Sequence, residues 1–165
     1  MNHTAVAPLL VLGWGNPSRG DDALGPIFVE RFRQHAAEAL PPGRVECLTD
    51  FQLQIEHALD LVGREQVLLV DACLDLDAPF TISEPRAARD ASYSTHALGP
   101  QALLQVYADL QHRAAPPCTL LAIRATRFEL GEAPGPQALA DLEQALTWAN
   151  NHWLQKAAPG ERICA

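Results

Sequence analysis

The chain has 165 residues, 48% of them apolar, and a formal net charge of −8. That length and apolar content suit one domain folding around its own core without staples. The negative balance argues against a nucleic-acid backbone or an anionic membrane as partner. No apolar run is long enough to span a bilayer, and residues 1–8 lack a basic region leading an apolar core, so neither a membrane anchor nor a signal peptide is expected.

The first predicted element is a strand over residues 9–13, apolar from Leu9 to Leu12, which runs into Gly13-Trp14-Gly15-Asn16-Pro17. Two adjacent carboxylates, Asp21 and Asp22, come next. Gly25-Pro26 and a helical pattern starting near 24–26 follow, with Ile27, Phe28 and Phe32 on one side and Pro26 tolerated in the first turn. Strand, glycine-rich turn and helix form the usual opening of a doubly wound α/β domain. The sign of the charge sets this loop apart. Phosphate-binding versions present N–H groups and a cation, whereas this one presents two anions. Gly15 and Gly20 have the P-loop spacing, but Asp21 and Asp22 stand where lysine and a hydroxyl are needed. The dinucleotide pattern fails at its third glycine, where Ser18 stands. A divalent cation suits the pair better than a nucleotide.

Pro41-Pro42-Gly43 breaks the chain, and residues 44–49 read as the second strand. A helix is predicted over 51–62, with Leu53, Ile55, Leu59 and Val62 as its apolar points. Residues 66–71 (QVLLVD) form the clearest buried strand and end on Asp71. A further strand is predicted at 80–84, a polar loop at 85–95, a helix over 96–111, a last strand over 118–126 and a closing helix over 136–155. The fold class is therefore α/β: a single-domain three-layer sandwich with a mostly parallel, twisted sheet of about five strands and helices on both faces. One domain spans 1–156, and 157–165 read as a flexible tail.

In such sheets a ligand sits beyond the carboxyl ends of the strands, at the switch in strand order. In the flavodoxin-like order the first and third strands are neighbours flanking that point, so Asp22 and Asp71 should face one crevice. Each also has a plain structural reading. Acidic residues favour a helix N-terminus, which would account for Asp21 fully and for Asp22 in part, and Asp71 would cap the loop after its strand. Asn16 would shape the turn, and Trp14 would serve as a lid or lie in the core. Of the six histidines, His3 is in a terminal stretch, and His35, His57, His112 and His152 fall on helix-like segments where solvated or capping roles suffice. His96 stands at a loop-to-helix boundary, either as a cap-region residue or as a third ligand. With Asp22 and Asp71 it makes an O,O,N set suited to a borderline divalent metal such as zinc or nickel, with positions left open. Cys47, Cys73, Cys118 and Cys164 show no C-x-x-C pairing and read as free thiols in a reducing cytoplasm. Cys73, two residues after Asp71, has a secondary reading as a soft-metal ligand.

Together these residues resemble the hydrogenase maturation endopeptidases, which process the large subunit of nickel–iron hydrogenases. The anchors are VLGWGNPSRGDDALG (11–25), VLLVDA (67–72) and STHAL (94–98), within a likeness running from about Leu9 to Leu146. The DDALGP wording and the segment Asp50-Phe51-Gln52-Leu53 look most like the branch serving soluble, NAD-reducing hydrogenases. The resemblance implies that the three metal-contacting positions fall on Asp22, Asp71 and His96. Asp22 stands where many relatives carry glutamate. Thr49-Asp50-Phe51-Gln52 stands where many carry Asp-Gly-Gly-Thr, which makes Asp50 a candidate for the same acidic role. The implied substrate is a hydrogenase large-subunit precursor already loaded with nickel, from which a short C-terminal peptide is removed. Nickel is then brought by the substrate, and no organic cofactor is needed. The chain has neither a G-x-S-x-G elbow nor an H-E-x-x-H helix, so hydrolysis would rest on the metal, with one aspartate as general base. The competing readings are a nickel-binding chaperone or sensor without peptidase activity, a metal-dependent hydrolase of small molecules, and a plain structural domain with capping acids. No membrane partner is implied, and the expected location is cytoplasmic.

Overall fold

A computed structural model describes residues 5–89 and 98–157. Strand β1 (Leu9–Trp14) leads through a short 3-10 turn (Gly20–Ala23) into helix α1 (Leu24–Ala39). Strand β2 (Val45–Asp50), a four-residue helix α2 (His57–Asp60), strand β3 (Gln66–Leu74) and strand β4 (Phe80–Ser83) follow. Helix α3 (Pro100–Gln111), strand β5 (Cys118–Ala125) and helix α4 (Pro136–Ala157) complete the described chain.

The five strands form one sheet in the order β2-β1-β3-β5-β4. All neighbours are parallel except β4, which runs antiparallel to β5 at the edge. The predicted α/β sandwich is therefore present, with β1 and β3 adjacent as the switch-point argument requires. Among the described residues no helix is long and apolar enough to cross a membrane.

Side-chain alternation along the strands splits the core into two layers. Leu9 and Val11 of β1 and Leu68, Val70 and Ala72 of β3 pack on α1 and α4, with Phe28, Phe32, Leu142 and Trp153 at the centre. Leu10, Leu12 and Trp14 of β1 and Val67 and Leu69 of β3 face the other way, against Leu53, Leu61, Leu103, Leu104 and Tyr107. By that parity Asp71 belongs to the second face, the one that Trp14 also serves. On the first face Asp141 of α4 is fully buried and takes two hydrogen bonds from the Arg124 guanidinium, at 2.8 and 3.1 Å, tying α4 to β5.

The predicted helix over 51–62 is reduced to α2 and flanking turns. The backbone there closes i to i+3 bonds, as from His57 N–H to the Gln54 carbonyl and from Ala58 N–H to that of Ile55. Two amides are also taken by side chains, Phe51 N–H by Asp50 and Gln54 N–H by His57. The apolar residues consequently divide between two faces. Leu53, Ala58 and Leu61 are buried, while Phe51, Ile55 and Leu59 are exposed, against the expectation that Ile55 and Leu59 are core points. The helix predicted from 96 begins at Pro100 in the described chain; 90–97 and 158–165 lie outside the described residues, and with them His96, Cys164 and most of the expected tail. Strand β3 runs three residues past its expected end at Asp71, to Leu74; the other boundaries agree with expectation to within one or two residues.

Helix α1 sits very close to β1 and β3. A Cβ at Gly25 would lie 2.3 Å from the Trp14 carbonyl oxygen and 3.0 Å from that of Val70. Both obstacles are backbone, so neither can swing aside. Gly25→Ala should therefore lower stability by about 3 kcal/mol, in the upper range for overpacking. Urea denaturation at neutral pH measures this, and a wild-type midpoint would refute the claim that backbone contact sets the spacing.

Candidate metal-binding crevice

The carboxyl ends of the three central strands line up through their register. Trp14 pairs with Asp50 of β2, and Gly13 pairs with Val70 of β3, which places Asp71 level with Trp14. Asp22 comes from the 3-10 turn that follows the glycine loop. The structure thus brings together Asp22 and Asp71 and sets Asp50 two strands away from Asp71. It does not describe His96.

The Asp71 carboxyl is pushed up to about 7, first by burial and then by the nearby Asp22 charge. The backbone N–H of Ala72 and the indole N–H of Trp14 pull in the other direction. None of these influences is a cation. Asp22 Oδ2 accepts the Asn16 backbone N–H at 3.0 Å, and Asn16 Oδ1 accepts the Ser18 N–H at 2.9 Å, giving the turn-shaping role expected of it. Trp14 is buried in the core and also donates to Asp71, a function that its place in a strand does not announce. Two half-buried carboxylates in mutual range, with no cation between them among the described residues, fit a divalent cation and disfavour a further anion. Among the described residues no cluster of three His, Cys, Asp or Glu side chains is assembled, so these two aspartates are two parts of a ligand set rather than a complete one.

Asp21 and Asp22 do opposite work. Asp21 is buried and its side chain caps no group in its own helix, which corrects the reading of that carboxylate as a local cap. Its Oδ2 accepts the N–H groups of Thr126 at 2.8 Å and Arg127 at 3.3 Å, and its Oδ1 accepts that of Gly135 at 2.8 Å. It therefore pins the glycine loop to the end of β5 and the entry of α4. Its donors lie more than a hundred residues away in sequence, so only a long-range contact could have revealed them.

Gly15 joins the loop to Asp50. Its N–H donates to the Asp50 carbonyl at 3.0 Å. Its φ of +145° and a would-be Cβ 1.8 Å from the Asp22 carbonyl oxygen leave room for glycine alone. The Asp50 side chain lies 3.2 Å from His57 Nε2. His57 is buried, against its expected solvated or capping role, whereas His112 does cap α3 in a left-handed conformation. His35 is exposed, and His152 bonds the Trp148 carbonyl at 2.8 Å and stacks on that indole ring. Cys47, Cys73 and Cys118 are free thiols, and the Cys73 thiol donates to the Leu74 carbonyl at 3.3 Å.

Two predictions follow from this chemistry. Asp21→Ala leaves three N–H groups without their acceptor and should cost about 2–4 kcal/mol in urea denaturation, while Asp22→Ala leaves stability near wild type. For Asp71, the native carboxyl keeps its proton up to about pH 7, against an ordinary value of 3.8. The folded state then holds more protons between those values, so this group's contribution to stability falls as pH rises from about 4 to 7. Asp71→Asn should be more stable than wild type at pH 8 by up to about 4 kcal/mol, with the gain shrinking toward pH 4. A pH-independent difference in melting would contradict the assigned burial effect.

No protein-family model and no curated protein matches the chain. Solved structures do resemble it. One is the nickel–iron hydrogenase maturation protease HycI from Thermococcus kodakarensis, with a TM-score of 0.66 at 21% identity, covering 91% of this chain and 93% of that one. Another is the hydrogenase maturating endopeptidase HybD from E. coli, with a TM-score of 0.65 at 24% identity, covering 86% and 88%. A third, an uncharacterized protein from Wolinella succinogenes, gives 0.57 at 12% identity over 88% and 96%. At these identities the likeness is one of fold, and the chain has the fold of structurally known hydrogenase maturation proteases over nearly its whole length.

Proposed function

We propose that this chain is an endopeptidase that removes a short C-terminal peptide from the nickel-loaded large-subunit precursor of a nickel–iron hydrogenase. The observation that carries this reading is the pairing of Asp22 with Asp71 at the switch point of a fold shared with such proteases. In this reading Asp22, Asp71 and His96 complete the coordination of nickel that arrives with the substrate. Binding releases the proton that burial keeps on Asp71, since a carboxylate must be ionised to hold a cation. The cation then fixes the scissile bond and polarises its carbonyl or an attacking water, with one of the two aspartates as general base. Asp50 supplies a further acidic contact at the edge of the crevice. The DDALGP wording and the Asp50–Leu53 segment favour a partner of the soluble, NAD-reducing kind, and a cytoplasmic setting accords with that partner.

The test is the intact mass of a co-expressed large-subunit precursor, with and without this protein, in nickel-replete and nickel-starved cells. The expected result is loss of a C-terminal peptide only when nickel and this protein are both present. Asp22→Ala, Asp71→Ala and His96→Ala should each abolish that loss while the circular dichroism spectrum stays that of wild type. Wild-type cleavage by all three variants would overturn the assignment of the site. No loss of mass in any combination would overturn the peptidase reading in favour of a nickel-binding chaperone or sensor.

A further inference from the structure

A second polar pair stands beside the crevice and has a defined direction. Asp50 ends β2, and His57 opens α2 with its ring buried. His57 Nδ1 accepts the backbone N–H of Gln54 at 2.8 Å, so Nδ1 carries no proton. In the neutral ring the proton must then sit on Nε2, which lies 3.2 Å from Asp50 Oδ2. Asp50 Oδ1 accepts the Phe51 N–H at 2.6 Å. Both carboxylate oxygens are thus held, yet a third of the side chain stays exposed.

The exposed part meets a cavity of about 350 Å³ lined by Gly15, Pro17, Pro26, Thr49, Asp50 and Phe51. Gly15 connects this cavity to the metal-binding crevice, because its backbone bonds Asp50 on one side and abuts Asp22 on the other. The Phe51 ring, 65% exposed, adds an apolar surface at the same rim. A polypeptide segment reaching Asp22 through this cavity would pass a carboxylate that still has lone pairs to offer.

Resting on the proposed peptidase function, we propose that His57 is a positioning residue. Its Nε2–H turns the Asp50 carboxylate into the cavity, where Asp50 accepts an N–H of the precursor's C-terminal segment. His57 touches no reacting atom. Its loss therefore weakens engagement of the precursor more than it slows bond cleavage.

The test compares three substitutions in processing of the nickel-loaded precursor, with melting curves taken alongside. His57→Ala removes both the Gln54 hydrogen bond and the contact with Asp50, and should raise KM about tenfold or more, the loss expected for one interaction with a charged group, with kcat within about twofold. His57→Gln offers an N–H near the Nε2 position and should bring KM back to within about threefold of wild type. His57→Asn keeps an acceptor for Gln54 but cannot reach Asp50, and should stay impaired although folded. In an Asp50→Ala background, His57→Ala should add little. The reverse pattern, with Asn restoring KM and Gln not, would reduce His57 to a support for the loop and overturn the inference. Wild-type KM in all three would overturn it as well. If the unsubstituted protein does not cleave the precursor, the peptidase reading itself has failed and the inference falls with it. If His57→Ala does not fold, the Gln and Asn variants decide.

Discussion

Two carboxylates in one half-buried crevice repel each other, and burial adds to the cost of ionising Asp71. Nothing in the pair itself holds it together, so the surrounding fold must. The sheet register sets the height of Asp71 beside Trp14. The backbone contact of Gly25 with Trp14 and Val70 sets how closely α1 lies on β1 and β3, and Asp22 lies in the turn feeding that helix. Gly25, facing the Trp14 and Val70 carbonyl oxygens, and Gly15, facing that of Asp22, are thus what allows two anions to sit together. The strain appears in the Asp71 carboxyl, which keeps its proton up to about pH 7.

The adjacent aspartates show how one loop divides structure from chemistry. Asp21 gathers three N–H groups from distant backbone and is buried with them. Among the described residues Asp22 accepts a single N–H, from Asn16. A carboxylate with three amide donors has little capacity left for a cation, and one with a single donor keeps most of it. Anchoring by the first residue is what holds the second in place without consuming its oxygens. The anchor also ties the site to the far edge of the sheet, since Thr126 follows β5 and Gly135 precedes α4.

Much of this was legible from the chain alone. Apolar runs and turn residues locate all five strands, and the rule that ligands gather at the switch point is enough to bring Asp22 and Asp71 to one crevice. Local rules failed where the partner was remote or where side chains competed with the backbone. Helix-capping logic looks a few residues ahead, so it assigned Asp21 to its own helix rather than to donors beyond β5. Apolar spacing over 51–62 suggests a helix, but the backbone closes i to i+3 bonds there and the segment folds as turns around a four-residue helix. For His57 the helix-like setting suggests only a solvated or capping role, because its partner ends the preceding strand. The antiparallel placement of β4 has no signature in a four-residue run. For His96, the third member of the expected ligand set, the structure offers no description.

On the proposed function, the electrostatic cost of the crevice becomes a means of discrimination. A precursor without metal brings no positive charge to offset the burial and the neighbouring Asp22 charge that raise the Asp71 carboxyl. A precursor carrying nickel supplies the missing positive charge, ionises Asp71 and turns repulsion between two anions into attraction for one cation. The difference in affinity between the two forms of the same polypeptide then contains the whole of that reversal, because the contacts elsewhere are shared. A site already relaxed by a nearby arginine or lysine would bind both forms more evenly. Among the described residues no such cation stands by the aspartates, and keeping them together on those terms sacrifices stability and sharpens the distinction between loaded and empty substrate.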